Sequence, residues 1–114
     1  MPLPEFTKKL IETKLSKYCI NRIPEHARDK VRLIYKIRGN NVTLFETRPY
    51  YRAPSIWTEN HVAQFRFDNN KKRWLLYSID RNDRWHLYDL IQPSIDFDDL
   101  LKELDRDPTG IFGG

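Results

Sequence analysis

Hydrophobic residues recur along this chain at two different periods. Phe6, Leu10, Ile11, Leu15, Tyr18 and Cys19 follow helical spacing, which predicts a helix over 5–21 with Lys8, Lys9, Lys14 and Lys17 away from the apolar stripe. Pro4 suits the start of that helix and Pro24 ends it. Over 31–38 the period drops to two. Val31, Leu33, Tyr35 and Ile37 face one way; Lys30, Arg32, Lys36 and Arg38, with Ile34 among them, face the other. Gly39-Asn40-Asn41 then supplies hairpin-turn chemistry, and 42–48 returns as a second strand.

Residues 49–60 read as a loop carrying Tyr50, Tyr51 and Trp57, because Pro49 and Pro54 interrupt any strand. Three further strands follow at 62–67, 73–79 and 84–90, separated by turns rich in Asp and Asn. Ala63, Phe65 and Phe67 share one face of the first of these. Arg73-Trp74-Leu75-Leu76-Tyr77 echoes Arg84-Trp85-His86-Leu87-Tyr88, which suggests two hairpin strands presenting Trp74 and Trp85 to a common core. Phe97, Leu100, Leu101 and Leu104 mark a helix over 96–106, capped by Ser94 or Asp96 and stopped by Pro108 and Gly110. Ile111 and Phe112 are expected to tuck back onto the body. Helix, five strands, helix, with short turns between strands, describes one α+β domain over 1–114 with an antiparallel sheet of about five strands.

Charge adds an asymmetry. Residues 1–38 hold ten Lys/Arg against four Asp/Glu, and residues 93–114 hold two against six. A basic front suits a nucleic acid or an acidic partner, unless the acidic back lies against it. The single cysteine, Cys19, excludes an intrachain disulfide and falls on the apolar stripe, where a buried, inert thiol is expected. The three histidines are not at metal-ligand spacing, and no Gly-rich phosphate loop is present, so no metal and no cofactor is expected. No leader-like or membrane-spanning run stands out, so the cytoplasm is the expected compartment and no membrane is an expected partner.

Several segments together resemble a known family: Ile23-Pro24, the run from Arg28 to Leu33, Gly39 to Pro49 with its Phe45-Glu46-Thr47-Arg48-Pro49, Trp57-Thr58, the two Trp segments, and the ending from Asp107 to Gly114. Together they are similar to the small bacterial proteins of domain-of-unknown-function family 3024, over nearly the whole chain. The resemblance implies a bacterial source and a stand-alone domain, and it implies no activity and no catalytic residue.

The leading expectation is a non-enzymatic binding module that contacts a nucleic-acid backbone. Lys30, Arg32, Lys36 and Arg38 would track phosphates, Lys14 and Lys17 would extend the stripe, and Tyr50, Tyr51 and Trp57 would stack on bases. A protein-interaction module, docking through the acidic last helix or the aromatic segment 49–60, is the second expectation. The third is a small metal-independent ribonuclease or hydrolase. There Glu46 would act as base and Arg48 as oxyanion or phosphate clamp, with His61 or His86 as proton donor.

Overall fold

The computed structural model describes residues 2–112. Helix α1 spans Glu5–Arg22, and a single 3₁₀ turn, Glu25–Ala27, follows it. The strands are β1 (Arg32–Arg38), β2 (Asn41–Tyr50), β3 (Ala53–Asp68), β4 (Arg73–Ile79) and β5 (Trp85–Leu87), and helix α2 is Phe97–Arg106. The sheet is a plain antiparallel meander in the order β1-β2-β3-β4-β5. No helix among the described residues is long and apolar enough to cross a membrane.

Register decides the two faces of the sheet. Leu33, Tyr35 and Ile37 pair with Glu46, Leu44 and Val42, and Phe65 and Phe67 pair with Leu76 and Trp74. These positions share one face, and all but Glu46 meet both helices in one core, with Ile11 and Leu15 from α1 and Phe97, Leu100 and Leu104 from α2. Phe65 and Trp74 both stack on Phe97, with centroids 4.7 and 5.0 Å away. The result is two layers. Both helices cover one face of the sheet, and no element of the described chain covers the other.

The two helices are tied by charge. Lys14 Nζ lies 2.7 Å from Asp98 Oδ2, and Tyr18 Oη donates to Asp105 Oδ1 at 2.7 Å. Arg22 Nε stands 3.2 Å from that same oxygen. The acidic end of the chain does lie against the basic front, but only against its helix. Asp96 caps α2 by accepting from the Asp98 N–H, and Asp107, in the left-handed region, closes it.

The structure corrects five local expectations. Residues 49–60 are not a loop: β2 continues to Tyr50 and β3 begins at Ala53, joined by a tight turn at Tyr51-Arg52. Pro49 and Pro54 are tolerated because β1 pairs only as far as Thr47 and β4 only as far as Gln64. Beyond those points each strand has one unpartnered edge, where a missing N–H breaks no ladder bond. The last strand is shorter than 84–90. Its Trp85 pairs with Ile79 and Leu87 with Tyr77, so odd-numbered residues of β4 and β5 share a face. Trp74 and Trp85 therefore point to opposite sides, and the eleven-residue echo does not mark a common core. On α1, Phe6 is 80% exposed and Leu10 also faces solvent, so the packed stripe is narrower than expected. Of the tail, Phe112 packs on Tyr88 at 5.0 Å while Ile111 stays exposed; Gly113 and Gly114 lie outside the described residues.

Inside the core, Tyr88 Oη donates to Glu103 Oε2 at 2.6 Å. Burial first, and that carboxylate second, push the phenol up to about 12 from 10.0. A raised tyrosine pKa supports the fold below the unfolded value and loses that support as pH climbs through the folded one. The fold is therefore expected to lose stability between pH 10 and about 12. Tyr88→Phe should flatten that decline relative to the native protein. Melting temperatures at the two ends of the window, followed by circular dichroism, check it.

Candidate nucleic-acid interface

The uncovered face of the sheet is built by the residues that alternate with the core. Arg32, Ile34 and Lys36 of β1 pair with Thr47, Phe45 and Thr43 of β2 and share their side. Next to them on β3, the register shifts between Leu44 and Phe45, so that Leu44 faces Ala63 but Phe45 faces His61. Val62 is the extra residue of this bulge, and it turns His61 outward. Without it, strict alternation from Ala63 would send the imidazole toward the helices.

Three rings then run across the sheet. Phe45 and His61 lie 4.9 Å apart, and His61 meets Trp85 edge-on at 5.5 Å. Cations sit on the neighbouring rings. Arg32 Cζ lies 4.3 Å over Trp57, Lys36 Nζ 4.9 Å from Phe45, and Arg66 Cζ 3.9 Å over Tyr77. Each contact holds a long basic side chain against the sheet and lowers the ordering cost of using it. Gln64, buried, donates to Thr43 Oγ1 at 3.0 Å and accepts from Arg66 Nε at 2.6 Å, which fixes the arginine over its ring. One carboxylate intrudes: Glu59 Oε1 is 2.8 Å from Lys36 Nζ.

The structure separates the basic residues expected to act together. Arg32, Lys36 and Arg38 belong to the uncovered face. Lys30 is exposed but precedes β1, in the turn after the 3₁₀ segment, so the stripe on the strand is one residue shorter than expected. Lys14 is committed to Asp98, and it and Lys17 lie on α1, across the sheet from this face. Trp57 joins the face through Arg32. Tyr50 and Tyr51 sit at the far end of the β2–β3 hairpin, their rings 5.2 Å apart, with Arg52 over Tyr51 at 5.4 Å. Phe45, His61, Tyr77, Trp85 and Arg66 complete the surface; of these only Trp85 is a stacking candidate on the sequence, and there as the alternative to a core position. The signal for Phe45 and Tyr77 is alternation on 42–48 and 73–79, read to its polar side as well as its apolar one.

Glu46 and Arg48 point to the helix side, and Arg48 Nε donates to Glu46 Oε1 at 2.7 Å. Glu46 also lines a cavity of about 220 Å³ with Tyr18, Arg22 and Asp105. His61 projects from the opposite side of the sheet, and His86 Nε2 is 2.7 Å from Asp80 Oδ2 at the β4–β5 turn. That contact, with the backbone N–H of Arg84, holds the Asp80 carboxyl below the usual carboxylate range. These four residues form no single cluster. Cys19 is half-buried, and burial pushes its thiol up to about 11, which keeps it protonated at neutral pH. Among the described residues, no group of three or more His, Cys, Asp or Glu is placed to hold a metal ion.

No curated protein and no solved structure matches this chain. One family model does, and it spans residues 3–114. With essentially the whole chain covered by that match, the protein belongs to the family described as Domain of unknown function (DUF3024).

Proposed function

We propose that this protein is a non-enzymatic module of the cytoplasm that binds single-stranded nucleic acid across the uncovered face of its sheet. The observation that carries the reading is the row Phe45–His61–Trp85 with Arg32, Lys36 and Arg66 held beside it on aromatic rings. Stacking on sheet-borne rings requires bases with free faces, which a duplex does not offer. The flanking cations serve the backbone without reading sequence. Charge supports the same orientation: the acidic residues of α2 lie on the far layer, partly neutralised by α1.

Lys36 already has a carboxylate partner in Glu59, so a phosphate that engages Lys36 displaces a surface ion pair, an exchange that costs little. The test is binding of fluorescently labelled single-stranded RNA and DNA over a range of salt. Affinity should fall with salt, because neutralised phosphates release counterions. Arg66→Gln should weaken binding across all sequences and reduce the salt slope by about one. Equal affinity for duplex and single strand, or a slope unchanged in the variant, overturns the reading.

A further inference from the structure

A second surface lies at the outer edge of β1. This strand pairs only with β2, so its other edge is open. Gly39, with φ of +61°, occupies the first position of the two-residue turn between the paired residues Arg38 and Asn41. In such a hairpin the closing pair exchanges both ladder bonds and every second pair follows suit. Arg38, Lys36, Ile34 and Arg32 therefore bond to β2. Leu33, Tyr35 and Ile37 turn their backbone N–H and C=O groups outward.

Beside this open edge is a cavity of about 180 Å³, walled by Cys19, Ile20 and Ile23 from the end of α1 and by Val31, Leu33 and Ile34. Leu33 and Ile34 point to opposite faces of the sheet, yet both line it. The cavity therefore lies along the strand's edge and not over either face. Its walls are mostly apolar, with Arg28 and Arg32 also lining it. The Val31 N–H donates to the Ala27 carbonyl at 3.0 Å, while the outward backbone groups of Leu33 have no partner among the described residues. Ile20 remains 57% exposed at its mouth.

We propose that an extended, acidic peptide segment of a partner protein adds to β1 as a sixth strand. Alternate apolar side chains of the peptide enter the cavity, and the carboxylates between them meet the cations of β1 and Arg28. Main-chain bonds supply affinity in this mode and side-chain pockets supply specificity. Charge selects the occupant. If two copies paired edge to edge, Arg32, Lys36 and Arg38 would meet the same cations of the other copy across the seam, and like charges brought opposite are destabilising. An acidic strand turns that repulsion into attraction. Pro54 makes the free edge of the β2–β3 hairpin a poorer template, and the other terminal strand, β5, offers only three residues, which leaves β1 as the better one.

The proposal shares Arg32 and Lys36 with the nucleic-acid reading, but its test uses residues that reading does not, Ile20 and Arg28. The probe is a labelled seven-residue peptide of alternating Glu and Val, compared with a scrambled peptide whose valines are contiguous. A third version carries N-methyl groups on alternate amides of the strand. The native protein is expected to bind the alternating peptide and to lose the other two. Ile20→Asp should weaken binding by about tenfold, and Arg28→Glu by a similar factor. Both positions are exposed, so the variants keep their circular dichroism. Ile20→Asp keeps its melting temperature, while Arg28→Glu lowers it slightly because Arg28 donates to the Ile20 carbonyl at 3.2 Å. No binding of the alternating peptide overturns the proposal. So does equal binding of the scrambled one, or affinity untouched in both variants. A dimer in sedimentation that Ile20→Asp dissociates would show a second copy on the edge instead, and would also overturn it.

Discussion

Replacing Phe45 and Trp85 together by alanine is expected to weaken single-stranded nucleic-acid binding by at least about thirtyfold, with the fold intact. One base–aromatic stack is worth about 1–3 kcal/mol by alanine substitution, so two lost stacks reach at least that factor. Both rings are half-buried on the uncovered face, and neither belongs to the core under the helices. The effect on stability should therefore be small beside the effect on binding. Intrinsic fluorescence reports it in the native protein. Trp57 and Trp85 border the face while Trp74 is buried behind it, so a bound strand should quench part of the emission and leave the rest. In the double variant that quenching should shrink and the binding curve should move to higher concentration. An unchanged curve would show that the ring row is not the binding surface.

The largest effect on stability is expected from Phe65→Ala. Phe65 is fully buried near the C-terminal end of β3, beside Leu76 on the next strand and under Phe97 of α2. Truncating such a ring costs about 3–5 kcal/mol through lost transfer energy and the cavity left behind. Domains of this size are held by about 5–15 kcal/mol, so the variant should be close to unfolded at physiological temperature. Leu87→Ala is the useful contrast, because that side chain is 52% exposed at the sheet's outer edge. Urea unfolding of both variants should show a large drop in midpoint for the first and a small one for the second.

Much of this arrangement was legible in the chain. Alternation over 31–38, the Gly39-Asn40 turn and the spacing from Phe97 to Leu104 located β1, its hairpin and α2 to within a residue or two, because each is a local pattern with one dominant period. The missed features depend on partners distant in sequence. Pro49 and Pro54 read as breakers because nothing local says that the strands on either side stop short of them. Trp85 read as core because its facing depends on whether β4 and β5 pair residues of equal or opposite parity, which the turn geometry sets. His61 was seen only as a candidate proton donor, since the bulge at Val62 that turns it outward has no signature in the run from Asn60 to Phe67. Arg32 and Lys36 were found by alternation alone. Trp57 is legible as an aromatic of segment 49–60, but that Trp57 and Phe45 hold these two cations depends on how β1, β2 and β3 pair.

The most direct test of the central claim is a nitrogen–proton NMR titration with a short single-stranded oligonucleotide, mapped onto the two layers. The account predicts shifts concentrated at Thr43–Phe45, His61, Gln64–Arg66, Tyr77, Trp85 and the Trp57 indole, with α2 unmoved. Shifts clustered on α1 and α2, or none at low salt, would contradict it.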